Sequence, residues 1–248
     1  MDLLEAARDG DRRALGRLVS AVEDDTALGR EALAVAGNGG DTWLTGVTGP
    51  PGAGKSTLVD RLIDEAMSDG QVAVVAVDPS SPFTGGAVLG DRVRMQRHID
   101  DDRVYIRSMA NRGHLGGIAE ATPRIVALLQ GLGFGEIIIE TVGVGQSELE
   151  VASLAHTVLV VFAPGWGDDV QAAKAGLIEA GDIFVVNKAD RPGVKETVSA
   201  LIGALEVGKP QPWTPPVIEA VATNGDGIAA LWDAIGDHRR HLEESAAR

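Results

Sequence analysis

Residues that could do chemistry gather in a few short strings. The first, Gly49-Pro-Pro-Gly-Ala-Gly-Lys-Ser56, fits the pattern G-x-x-x-x-G-K-[ST]. Its glycines let backbone amides curl tightly, and a lysine and a hydroxyl follow at the start of a helix. The chemistry implied is phosphate binding. The amides of Gly49, Gly52, Ala53 and Gly54 would wrap phosphate oxygens, and the helix would add its positive amino end. Lys55 would reach the β and γ phosphates, Ser56 would hold Mg²⁺, and Thr57 would lie under the α-phosphate.

The second string, Asn187-Lys-Ala-Asp190, is common by chance alone. It gains meaning after a phosphate loop and at the end of an apolar run. There the Asp190 carboxylate can accept from the ring imino and exocyclic amino groups of guanine. Adenine offers no such pair and would leave the carboxylate unmatched. Asn187 and Lys188 complete that element, and Ala222-Thr223-Asn224 takes the place of a further base-contacting loop with a backbone amide to offer. The third string, Glu140-Thr-Val-Gly143, stands where most GTPases have D-x-x-G. In that pattern the acid holds a Mg²⁺-bound water and the glycine amide meets the γ-phosphate. Together the three predict GTP with Mg²⁺, hydrolysed to GDP and phosphate on the order of 10⁻⁴ to 10⁻² s⁻¹ when no arginine is supplied from outside.

Such residues need a scaffold that delivers them to one edge. Short apolar runs at Trp43–Val47, Gln71–Val77, Val104–Ile106, Ile137–Glu140, Val158–Phe162, Ile183–Asn187 and Val217–Ala222 predict strands. Helical periods lie between most of them, at Gly54–Asp69, Gly117–Gly131, Ser147–Ala155, Asp169–Ala180, Val194–Val207 and from Ile228 to about Leu242. Strands apolar on both faces and alternating with helices predict an α/β P-loop NTPase sandwich of three layers around a mostly parallel sheet. Ligands in such sheets bind at the carboxyl ends of the strands. Many of the 32 glycines fall there. Before this pattern, residues 2 to about 36 read as helical, with Leu3, Leu4, Ala7, Ala14, Leu15, Leu18, Val19 and Val22 at three- and four-residue steps. Gly37-Asn-Gly-Gly40 breaks it. The expected organisation is a helical extension over 1–39 and a G domain over 40–248.

Composition narrows the function class. The 22 Lys+Arg against 36 Asp+Glu give a net charge of −14, the wrong sign for a general nucleic-acid binder. The absence of cysteine excludes disulfide scaffolds, thiolate metal sites and cysteine nucleophiles. The longest stretch without a charged residue, Val151–Gly167, falls short of the ~20 residues a membrane helix needs. The first residues carry charges throughout and show no secretory core. A cytoplasmic protein without membrane or nucleic-acid partners is expected. Pro50 and Pro51 replace the extra lysine of MinD-type ATPases. His98, His114, His156, His238 and His241 are too scattered for a metal-inserting GTPase.

Longer strings resemble one family. Val77-Asp-Pro-Ser-Ser-Pro-Phe-Thr-Gly-Gly-Ala-Val-Leu-Gly-Asp-Arg-Val-Arg-Met95, Glu140-Thr-Val-Gly-Val-Gly-Gln-Ser-Glu148, Pro164-Gly-Trp-Gly-Asp-Asp-Val-Gln-Ala-Ala-Lys174 and the Asn187–Asp190 string are similar to those of ArgK/MeaB-type GTPases. These are the bacterial counterparts of the human methylmalonic aciduria type A protein. Gly10-Asp-Arg-Arg-Ala-Leu15 is similar to the family's N-terminal helix. The resemblance implies a GTPase chaperone of adenosylcobalamin-dependent methylmalonyl-CoA mutase, gating cofactor loading and protecting the mutase from inactivation. Two other readings stay open, a chaperone of another cobalamin-dependent acyl-CoA mutase and a kinase or ATPase of a transport system.

The resemblance also places Asp78 and Asp91 with Glu140 around Mg²⁺, and it makes Pro164–Lys174 a switch that couples nucleotide state to the partner. Asp168, Gln171 and Lys174 stand out in that switch. Gln171 and Lys174 share a helix face and could point jointly at the nucleotide. Arg92, Arg94, Arg97, Arg103, Arg107 and Arg112 form a basic cluster that reads either as a solvated face or as a source of one phosphate-neutralising arginine, Arg94. Gln146 is a candidate to position water. The family's homodimer depends on a long helical arm, and a sequence ending at Glu243-Glu-Ser-Ala-Ala-Arg248 leaves that arm out of the expected organisation.

Overall fold

The computed structural model describes residues 3–37, 40–78, 95–98, 100–110, 121–141, 147–165, 175–207 and 212–247. Helices α1 (Leu3–Arg8), α2 (Arg12–Glu23) and α3 (Ala27–Ala36) come first. Asp11 caps α2 by accepting from the Arg13 and Ala14 amides, and Thr26 caps α3 by accepting from Gly29. The helical period of the first 36 residues is therefore three helices, broken at two capping side chains.

Strand β1 (Trp43–Thr48) leads into α4 (Lys55–Ala66) and then β2 (Val72–Asp78). A short 3-10 turn (Gln96–His98) precedes β3 (Val104–Ala110). Next come α5 (Thr122–Gly131), β4 (Glu136–Thr141), α6 (Ser147–Leu154) and β5 (Thr157–Phe162). The chain continues through α7 (Ala175–Ala180), β6 (Ile183–Asn187), α8 (Val194–Glu206), β7 (Val217–Ala220) and α9 (Ile228–Ala246). The seven strands form one sheet in the order β3-β2-β4-β1-β5-β6-β7, and every pairing is parallel.

Alternating side chains of each central strand feed two apolar layers. On one face Ala73, Val75, Ile137, Ile139, Val158 and Val160 meet Ile125, Val151 and Leu201, together with Leu4, Leu15, Leu18 and Val19 of the first helices. On the other face Val72, Val74, Ile138, Leu159, Val161 and Val185 meet Leu58, Leu62 and Ile63 of α4 and Leu231 and Ile235 of α9. This is the three-layer α/β arrangement expected from the sequence. Burial on both faces explains why the central strands read as continuous apolar runs. Among the described residues no helix is long and apolar enough to cross a membrane.

The amino edge of the sheet holds a polar cluster. Trp43 Nε1 donates to Thr157 Oγ1 at 3.1 Å, and Thr157 Oγ1 lies 3.0 Å from His238 Nδ1. His238 Nε2 lies 3.5 Å from Asp182 Oδ1, an acceptor that favours the proton on Nε2 and leaves Nδ1 to accept from the Thr157 hydroxyl. Burial holds His238 down to about 4 and pushes Asp182 up to about 6. Nearby, Thr45 Oγ1 donates to Glu136 Oε1 at 2.6 Å. Burial pushes the Glu136 carboxyl up to about 8, against the Thr45 bond and the Arg239 charge, which favour its ionised form.

A pH dependence of stability follows. Unfolded Glu136 releases its proton near 4.5 and folded Glu136 near 8, so folding takes up a proton between those values. The contribution is complete below 4.5 and lost as pH rises through 8. Glu136→Gln keeps a neutral acceptor for Thr45, so its melting temperature should fall less than the parent's between pH 6.5 and 9. Equal losses in thermal melts would refute the assignment. His238 and Asp182 titrate at or below the lower end of this range in both proteins, so the difference between parent and variant reports Glu136.

Candidate nucleotide site

The loop between β1 and α4 sits at the carboxyl edge, where β1 lies between β4 and β5. Its curvature requires glycine at two places. Gly49 has φ +132°, and a side chain there would come within 2.1 Å of the Val161 carbonyl oxygen. Gly54 has φ +94° and would meet Asn187 Nδ2 at 2.4 Å. Gly54 is also the N-cap of α4 and supplies no side-chain cap, so the amides of the first turn meet no capping oxygen from it.

Lys55 is buried at the base of the loop. Its Nζ donates to the carbonyls of Gly49 at 2.8 Å and Pro50 at 3.1 Å, so the ammonium faces inward along the curl. Ser56 Oγ donates to Glu140 Oε1 at 2.7 Å, and both residues are 4% exposed. The pairing is dictated by the sheet, since Glu140 lies opposite Val47 in the β1–β4 register. A hydroxyl and a carboxylate side by side form an all-oxygen donor pair, which suits a hard divalent cation and no soft one. Thr57 follows, half buried.

Asn187, at the end of β6 and 2% exposed, ties three segments together. Its Nδ2 donates to the Ala53 carbonyl at 2.9 Å, and its Oδ1 accepts from the Lys188 amide at 2.8 Å and the Ala222 amide at 3.1 Å. Lys188 holds φ +61°, a conformation rare for a residue with a side chain. It places Nζ 2.5 Å from the Gly52 carbonyl. Ala189 donates to Ala220 at 3.0 Å. Asp190 stands exposed in the turn that follows. The structure thus brings the phosphate loop, the Asn187–Asp190 string and the Ala222–Thr223 loop to one edge, with Glu140 beneath.

Several expected residues fall elsewhere. Asp91, Arg94, Gly143, Gln146, Asp168, Gln171 and Lys174 lie outside the described residues, as do Arg92 and Arg112. Asp78 closes β2 in register with Ala110, and its side chain lies outside what is described. Each remaining arginine of the basic cluster is paired with a carboxylate, Arg97 and Arg103 while still exposed. Arg97 pairs with Asp60 at 2.7 Å and Asp64 at 3.0 Å, Arg103 pairs with Asp101 at 2.7 Å, and Arg107 pairs with Glu23.

Sequence reading missed one contributor. Arg61 reaches from α4 to the carbonyls of Ala222 and Thr223. Nothing in the spacing around Arg61 announces a partner loop so far along the chain.

Residues 15–248 match the family described as "Methylmalonyl Co-A mutase-associated GTPase MeaB". The chain belongs to this family. As a MeaB-family GTPase it has relatives across domains of life. It is 51% identical over 250 residues to a protein of Pyrococcus abyssi named as a GTPase, covering 98% of this chain and 77% of that protein. It is 38% identical over 209 residues to the mouse "Methylmalonic aciduria type A homolog, mitochondrial", covering 81% of this chain and 50% of that protein. Among solved structures, a crystal structure of a protein named "LAO/AO transport system kinase" superposes with a TM-score of 0.78 at 29% identity, covering 98% of this chain and 76% of that one. These findings support the family resemblance, the fold and the GTPase activity expected from the sequence. GTP and GDP are thus its nucleotides.

Proposed function

We propose that this MeaB-family GTPase is a nucleotide-timed chaperone of an adenosylcobalamin-dependent methylmalonyl-CoA mutase, gating cofactor loading and protecting the mutase. The observation that carries the reading is the match of residues 15–248 to a family described as mutase-associated. The activity would reside in a G domain over 40–248, with 1–39 as a helical extension.

In this reading the loop amides and Lys55 hold the β and γ phosphates, and Asn187, Lys188, Asp190 and the Ala222–Thr223 loop hold guanine. Ser56 and Glu140 would hold Mg²⁺, with Asp78 and Asp91 as further acids. Bound there, the ion would neutralise charge developing on the phosphates. The protein's own part is positioning and charge stabilisation, without a covalent intermediate. Lys55, already inward-facing, would meet the anion from the base of the loop.

The test is binding of purified methylmalonyl-CoA mutase to this protein with a non-hydrolysable GTP analogue, with GDP, and without nucleotide. Expected is a complex whose affinity depends on the nucleotide. No complex in any state would overturn the chaperone reading for that mutase. The 29% identical structure is by name that of a transport system kinase, which favours a second reading, phosphoryl transfer to an acceptor. With γ-labelled GTP, a timer releases the label as free phosphate, whereas a kinase moves it onto another molecule.

A further inference from the structure

We infer that Arg61 acts from behind the base-reading loop as a positioning residue, setting how strongly the site prefers a purine with a carbonyl at C6. The inference rests on the reading of Asp190 and the Ala222–Thr223 loop as the guanine site.

Arg61 lies on α4, the helix that the phosphate loop begins. Its Nε donates to the Ala222 carbonyl at 2.9 Å and an Nη donates to the Thr223 carbonyl at 2.8 Å. The fork therefore grips two consecutive peptide groups. The Ala222 carbonyl and the Thr223 N–H belong to one planar peptide and point in opposite directions. Whatever fixes the Ala222 oxygen also aims the Thr223 N–H.

The neighbouring amides have other partners. The Ala222 N–H bonds Asn187 Oδ1 at 3.1 Å, and the Asn224 and Gly225 amides both turn back to the Val221 carbonyl. Thr223 thus supplies the amide best placed to meet a base between this loop and the Asp190 turn. A guanidinium on the carbonyl side also polarises the peptide, which makes its N–H a stronger donor.

Guanine presents an acceptor at C6, where adenine presents a donor. Arg61 therefore adds to discrimination at C6, while Asp190 reads the imino and 2-amino groups. Arg61 itself touches no nucleotide. Its link between α4 and the loop would also transmit shifts of the phosphate helix to the base pocket.

The experiment compares GTP, ITP and 6-thio-GTP binding to the full chain and its variants. ITP lacks the 2-amino group and keeps the 6-carbonyl. 6-Thio-GTP keeps the amino group and offers only a weakly accepting sulfur at C6. Arg61→Met should lower GTP affinity by about tenfold, as expected for loss of one well-aimed hydrogen bond. It should shrink the preference for GTP over 6-thio-GTP while leaving the preference for GTP over ITP unchanged. Arg61→Lys, with one donor in place of a fork, should fall between.

Equal losses for all three nucleotides would overturn the proposal and make Arg61 a strut only. If Arg61→Met fails to fold, Arg61→Lys decides by the same two ratios. A parent protein that binds GTP and ITP equally would overturn the base-site reading first, and this inference with it.

Discussion

Replacing Asp190 by asparagine is expected to lower GTP affinity by about a hundredfold and to raise affinity for xanthosine triphosphate by a comparable factor. The prediction depends on how firmly the Asp190 turn is held. Asn187 is bonded on both sides of its amide, Lys188 is locked at φ +61°, and Ala189 donates to Ala220. The backbone that leads into the Asp190 turn is therefore held by bonds to the phosphate loop and to the Ala220–Ala222 segment. In the proposed base site the Asp190 carboxylate would accept from the imino and 2-amino groups of guanine, whereas an asparagine amide would donate to the 2-carbonyl of xanthine. Competition titrations with a fluorescent GDP analogue would measure both affinities. Unchanged GTP binding by the variant would remove Asp190 from the base site.

Lys55→Ala should slow single-turnover GTP hydrolysis by about two to three powers of ten, the effect of deleting one preorganised donor from a reacting anion. It should also weaken GDP binding. Lys55 Nζ now bonds the Gly49 and Pro50 carbonyls, so its removal loosens the loop as well as subtracting a charge. Quenched-flow measurement of phosphate release at saturating GTP isolates the rate from the binding loss. A rate within tenfold of the parent would show that the ammonium does not face the transferred phosphate.

How much of this was readable beforehand depends on the range over which each signal acts. Strand β6 matches its expected bounds, Ile183–Asn187, residue for residue, because burial on both faces leaves an unbroken apolar run. The phosphate loop was legible for the same local reason, since its glycines answer to backbone angles within the loop itself. Strand β3 ran past its expected end at Ile106 to Ala110. It lies at the sheet edge, where Arg107 pairs with Glu23 of α2, and such a polar stretch carries no apolar signature. The arginines misled in a similar way. Arg97 looks unpaired in sequence because Asp60 and Asp64 precede it by more than thirty positions. Arg61 was invisible because a side chain that serves a distant carbonyl leaves no trace in spacing or composition.

The three-way bonding of Asn187 bears on the order in which the chain matures. The Ala53 carbonyl waits for an amide 134 positions later, and Asn187 waits for Ala222 another 35 positions on. A ribosome adding roughly 5 to 20 residues per second therefore extrudes the phosphate loop many seconds before its clasp. During that interval the nascent chain has a curl of amides but no base pocket. In the proposed site the base pocket is complete only after β7 docks, so GTP should reward late, near-complete folding intermediates most and leave early ones to the chaperones of the cell.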